Sequence, residues 1–178
     1  MLCSVPRRAA LLLCLVVLVG ALAPATARPA PHATYLGSLH AGLLTELNAV
    51  RAAHGLAPLK MNGALGAAAR RHSSEMLANA YFQHESPDGS PFWQRVERFY
   101  GQTGRGTWSV GENLLWSSGR LSAARALELW MGSPGHRKNI LTARWREIGI
   151  SALTVASAPG VYGGHDVVIV TTDFGVRS

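Results

Sequence analysis

Three short segments of this sequence place polar residues where the surrounding pattern does not require them. In Tyr81-Phe82-Gln83-His84-Glu85-Ser86-Pro87-Asp88-Gly89 a helical pattern gives way to a turn, and His84 follows close on the last apolar residue. It can project into solvent as an ordinary loop histidine, or into a cleft. Gly111-Glu112-Asn113 sets a carboxylate beside a glycine at the start of a strand that reads as buried. That is costly unless something pairs with the charge. In Ser133-Pro134-Gly135-His136-Arg137-Lys138-Asn139-Ile140-Leu141, Ser133 as N-cap makes His136 the third residue of a helix. The positive end of the helix dipole there disfavours imidazolium and leaves a neutral ring ready to ligate. The plainer alternative is a capping histidine with no metal. No common catalytic signature accompanies these residues: there is no Gly-x-Ser-x-Gly elbow, His-Glu-x-x-His pair, phosphate loop or dinucleotide fingerprint.

The other histidines and the tryptophans have simpler readings. His72 falls on the apolar stripe of its helix and is expected as a partnered core histidine. His32 and His40 lie in or near a linker, His54 ends a helix, and His165 opens the last strand as a turn residue. Trp93, Trp130 and Trp145 are expected as core anchors. Trp108 and Trp116 flank Glu112 and are open to either core or cleft-wall roles.

The elements that must position these residues follow from periodicity. Leu39, Leu43, Leu47 and Val50 form one helical stripe, with Glu46 and Arg51 off it and Gly55 as the stop. Asn62 is suited to cap a second helix with the stripe Leu65, Ala69, His72 and Met76. Ser90-Pro91 reads as N-cap and N1 of a third, with Trp93, Val96 and Tyr100 inward. Val110 to Trp116 reads as a short strand after the glycine-rich 101–106 loop. Ser122 caps a fourth helix through Met131, with Leu127 and Trp130 inward, and Ser133-Pro134 starts a fifth. Residues 147–155 and 167–174 are rich in branched side chains and flank a Gly/Pro-containing turn, which predicts a hairpin. Helices early and strands late give an α+β class, with helices packed on an antiparallel sheet.

The chain has 178 residues, and its first 27 read as a cleavable secretory signal. Arg7 and Arg8 form the positive region, and 9–23 is an apolar run too short for a comfortable membrane anchor. Pro24 ends the run and Ala25-Thr26-Ala27 supplies the cleavage pattern. A short Pro/Ala-rich linker is assigned to 28–37 and one domain to 38–178, a size that buries roughly 70% of its unfolded surface. Both cysteines, Cys3 and Cys14, fall inside the signal. The domain therefore has no disulfide, thiolate metal site or cysteine nucleophile, which suits a bacterial exporter better than an animal one. Seventeen Lys and Arg oppose ten Asp and Glu, a net +7 that becomes +5 without Arg7 and Arg8. The basic residues are scattered, which argues against a specific nucleic-acid face. No stable transmembrane anchor is expected, and the domain is expected to be a monomer.

Taken together, Phe82-Gln83-His84, Gly111-Glu112-Asn113, Trp130, Gly135-His136 and Thr172-Asp173-Phe174-Gly175 resemble the CAP superfamily of cysteine-rich secretory, antigen 5 and pathogenesis-related proteins. Asn48-Ala49-Val50-Arg51, Asn62-Gly63-Ala64-Leu65 and the 133–141 segment resemble its cysteine-free bacterial branch. The order matches from about Leu39 to Gly175. The resemblance implies a three-layer α-β-α sandwich with a central antiparallel sheet and a cleft lined by two histidines and two acids. His84 and His136 match the histidines and Glu112 the first acid; Ser133 stands where the second acid belongs. Some members of the family bind a divalent metal in the cleft, which makes His84, Glu112 and His136 the metal-ligand candidates for a zinc-like ion.

A metal-assisted hydrolase also needs a separate base. Glu112, the catalytic candidate, cannot readily be both ligand and base. Ser133 is a poor base, and Glu85 or Asp88 would have to substitute. The leading expectation is thus an exported CAP-domain protein that binds an unidentified extracellular ligand in its cleft, assisted by a divalent metal. A metal-dependent hydrolase or peptidase is the first alternative. A lipid-binding or cell-wall-associated interaction module is the second.

Overall fold

Two sets of apolar side chains, one on each face of a sheet, organise the domain. The computed structural model describes residues 32–178; the proposed signal, 1–27, lies outside the described residues. In chain order the elements are β1 (Thr34–Tyr35), α1 (Gly37–Ala53), β2 (Lys60–Met61), α2 (Gly63–Ala78), α3 (Phe92–Glu97) and β3 (Trp108–Ser118). They continue with α4 (Ala123–Met131), α5 (Pro134–Ile140), β4 (Glu147–Val155) and β5 (Val167–Arg177). The sheet runs β1-β4-β5-β3, all antiparallel, and β2 adds a short parallel pairing to β4.

Strand alternation sends successive side chains to opposite faces. Ile148, Ile150 and Ala152 of β4, with Val168, Val170 and Phe174 of β5, pack with Leu39, Leu43 and Leu47 of α1 and with Ala126, Leu127 and Trp130 of α4. Leu153 and Val155, with Val167, Ile169 and Leu114, meet Met76 and Leu77 of α2 on the opposite face. Leu65 and Ala68 of α2 join Val96 and Tyr100 beside α3. The result is an α+β three-layer sandwich, as expected. Among the described residues no helix is long and apolar enough to cross a membrane.

Several local expectations hold. Gly55, with φ +68°, ends α1. The Asn62 side chain accepts from the backbone N–H groups of Ala64 and Leu65 at 2.9 and 3.1 Å, and Ser122 Oγ accepts from Arg125 N at 3.2 Å. The β4–β5 hairpin forms with its long turn.

Others are corrected. Thr34 and Tyr35, assigned to the linker, pair with Thr154 and Leu153, so the folded part begins before residue 38. Arg51, placed off the α1 stripe, is fully buried while Val50 is only half-buried. Its guanidinium donates to the carbonyls of Ala57, Ile140, Thr142 and Trp145 at 3.0, 2.7, 3.0 and 3.4 Å. Those acceptors replace its lost hydration, which is why a cation can continue an apolar stripe. Pro91, not Ser90, is the N-cap of α3. Trp93 is 41% exposed rather than a core anchor, because this six-residue helix buries only Arg95 and Val96.

Candidate functional site

Glu112 leaves β3 on the α2 face, between Gly111 and Asn113, which point the other way. Its side chain is closed to solvent, and two partners hold its oxygens. Nδ1 of His84 donates to Oε1 at 2.8 Å, and the Arg95 guanidinium donates to Oε2 at 2.5 Å. The pairing that a buried carboxylate demands is thus present. Arg95, only 3% exposed, comes from α3. It also donates to the His84 carbonyl and Ser86 Oγ, both at 3.2 Å, and so fixes the loop that carries His84. His72 of α2 lies 4.0 Å from Oε1, but its Nε2 donates to the Gln83 carbonyl at 2.9 Å. It is a partnered buried histidine, as its stripe position indicates. Burial pushes its ring toward the neutral form despite the pull of Glu112.

On the other face, Asn113 ties α5 to the sheet. Its Nδ2 donates to the His136 carbonyl at 3.2 Å, and Asn139 Nδ2 donates to Asn113 Oδ1 at 3.0 Å. Trp145 Nε1 in turn donates to the Asn139 carbonyl at 2.9 Å. A Cβ on Gly111 would come within 2.5 Å of Asn139 Oδ1, so the glycine beside Glu112 permits α5 to close on β3. Ser133 occupies the N-cap position and His136 the third helical position, although the Ser133 hydroxyl makes no capping hydrogen bond.

These elements enclose a cleft of about 520 Å³. His84, Glu112, Ser133 and His136, the four residues singled out in the sequence, all line it, together with Glu85, Phe92 and Asn139. Trp108 and Trp116 do not. Trp108 donates to the Tyr100 carbonyl at 2.7 Å, and Trp116 packs edge-on against Tyr162 at 5.5 Å. The aromatic wall is Phe92, at 6.4 Å from the His84 ring centroid. The two imidazoles are driven in opposite directions. The hydrogen bond to Glu112 raises the His84 pKa above the usual histidine value, against burial. Burial, and then the neighbouring His84 charge, lowers that of His136. His136 therefore favours the neutral ring, with burial and the His84 charge as causes.

The donor set does not fit a three-ligand metal centre. Both Glu112 oxygens are committed to His84 and Arg95, and Nδ1 of His84 faces the carboxylate. Two open imidazole edges remain, one short of the usual three protein ligands. Among the described residues, no three His, Cys, Asp or Glu side chains converge to hold an ion.

Residues 44–171 match the model of the cysteine-rich secretory protein (CAP) family. This chain belongs to the CAP family. Its CAP domain is 36% identical over 104 residues to the uncharacterized protein YkwD of Bacillus subtilis, covering 58% of this chain and 38% of that one. It is 30% identical over 108 residues to the uncharacterized membrane protein YlbC of the same organism, covering 61% and 30%. The chain thus spans about a third of the length of the curated relatives it matches. Among solved structures, the CAP domain resembles an extracellular protein containing a SCP domain from Bacillus anthracis (TM-score 0.57, 28% identity, covering 78% of this chain and 40% of that one). It shares its fold with an outer surface protein of Borrelia burgdorferi (TM-score 0.65, 19% identity, covering 83% and 99%).

Sequence reasoning missed Arg95, which read as one more scattered basic residue, and Asp173, which was noticed only as part of a motif. The signal for Arg95 was indirect: the cost of burying Glu112 required a cation without naming it.

Proposed function

We propose that this CAP domain is exported by its N-terminal leader and binds a polar extracellular ligand in the cleft between His84 and His136. The observation that supports this most is the opposite drive on the two rings. A ring that favours the charged, donating form and a neutral ring with a free acceptor share one cleft with the Phe92 wall. A ligand bearing carbonyl, hydroxyl or amide groups matches that set, as peptide and glycan fragments of a cell wall do. The extracellular and outer-surface descriptions of structural relatives agree with such a location. The scattered basic surface adds weak attraction to anionic wall polymers, and the domain acts as a monomer.

The test is retention of purified protein on isolated wall sacculi, with lipid vesicles alongside. Binding to sacculi that survives about 0.5 M salt, where surface charge attraction is largely screened, and is lost in the His84→Ala/His136→Ala double variant is the expected result. Equal retention of the variant sinks the proposal, and binding to vesicles alone transfers it to a lipid. A divalent ion is left out of this reading, because both Glu112 oxygens are already held by the His84 and Arg95 donors. Stoichiometric zinc is expected to leave the melting temperature unchanged, and a rise abolished in the double variant would restore the metal.

The same opposite drive supports a second reading, hydrolysis with His136 as base and His84 as acid. Its signature is a bell-shaped pH–rate profile on a wall-derived peptide or glycan substrate. His136→Gln should remove the acidic limb and His84→Gln the alkaline one.

A further inference from the structure

Asp173 is a buried titratable group that neither reading uses. It lies on β5 directly opposite Glu112 of β3 and Gly149 of β4, so the side chain beside it across the sheet is another carboxylate. Its exposure is zero, and neither of its oxygens meets a donor among the described residues. The cationic donors His84 and Arg95 both bond Glu112. Of the other titratable groups near the pair, His72 on α2 has its Nε2 turned to the Gln83 carbonyl and its Nδ1 unpartnered, and the buried Tyr81 hydroxyl, close enough to feel the Glu112 charge, has no hydrogen-bond partner among the described residues.

Two adjacent buried carboxyl groups do not both ionise when only one of them has cationic partners. The group that carries those partners keeps the charge; the other keeps the proton. We propose that Asp173 stands as a neutral carboxylic acid that donates its O–H to Glu112, which makes it the positioning residue holding that carboxylate beneath His84. Burial and then the Glu112 charge push the Asp173 carboxyl well above the usual carboxylate range, in the same sense. Arg95 opposes that push only in part. The arrangement also accounts for oxygens that would otherwise be orphaned in the core, since a protonated carboxyl supplies the missing donor. It is independent of any ligand in the cleft.

The experiment compares Asp173→Asn and Asp173→Leu with the wild type. The His84 ring is titrated by NMR, assigned by the signal absent from His84→Gln. Asparagine keeps the shape, the neutrality and an N–H donor, so the His84 midpoint should stay at its wild-type position. If Asp173 were ionised, the asparagine would remove a negative charge from beside the Glu112–His84 pair and the midpoint would fall; that result overturns the proposal. Leucine removes the donor at similar volume, so it should melt about 5 °C below the asparagine variant. Equal melting of the two refutes the donor role. If the leucine variant does not fold, the midpoint in Asp173→Asn decides alone.

Discussion

The Arg95 guanidinium reaches Oε2 of Glu112 at 2.5 Å, with both side chains shut off from solvent. Taking either charge out of water alone is prohibitive, so the pair behaves as one unit. Arg95→Met leaves Glu112 with His84 as its only cationic partner. We expect it to cost about 3–5 kcal/mol in urea unfolding at neutral pH. Arg95→Met combined with Glu112→Leu removes both buried charges and should recover much of that loss. A double variant no more stable than Arg95→Met would show that the pair stabilises the fold beyond its own desolvation.

His84 gives the site a pH dependence whose sign can be worked out. Its folded pKa is raised above the unfolded value by the bond to Glu112. The stability it adds is complete below the unfolded pKa, near 6.5, and is lost as pH rises through the folded value. His72 runs the other way. Its folded pKa is lowered by burial, so its contribution is lost as pH falls through the unfolded value toward the folded one. Melting curves of wild type and His84→Gln should therefore differ most below about pH 6.5 and converge as pH rises past the raised folded value. A constant difference across that range would remove the charge from the His84–Glu112 bond.

The fold was largely legible because it rests on periodicity. Leu39, Leu43 and Leu47 mark α1 at helical spacing, Asn62 and Ser122 announce their helices, and the β4–β5 hairpin shows in its branched residues. The four cleft residues were legible through linked motifs in order. The parts that escaped notice all involve charges solved by tertiary partners. Arg51 looks like a polar boundary until four backbone carbonyls from distant segments surround it. Arg95 has no motif of its own, and Asp173 gains its meaning from register, since its neighbour across the strands is Glu112. Trp93 failed for the converse reason: a short helix has too little inward face to hide every large residue near it.

Arg51 carries a structural prediction separate from the cleft. Its four carbonyl acceptors lie in the loop after α1 and around the C-terminal end of α5. Arg51→Met fills part of the space but orphans those acceptors, of which Ile140 O sits in a buried setting. A loss of about 3 kcal/mol is expected. Arg51→Lys should cost nearly as much, because one ammonium cannot span acceptors arranged for a planar fork. Chemical denaturation of both variants measures this; a lysine variant as stable as wild type would show that charge alone suffices.

Asn113 links the sheet to the helix that carries His136, and that link can be cut without touching a charge. Its amide donates to the His136 carbonyl and its oxygen accepts from Asn139. Asn113→Ala removes both bonds and leaves two polar groups short of a partner, a loss of about 1–3 kcal/mol. Glu112, His84 and Arg95 keep their mutual bonds, because none of them depends on Asn113. The His84 titration should therefore be unchanged, while the backbone amide shifts of residues 134–140 move and retention on sacculi weakens. If the His84 midpoint moves together with those amide shifts, the two sides of the cleft are coupled through β3 rather than positioned independently.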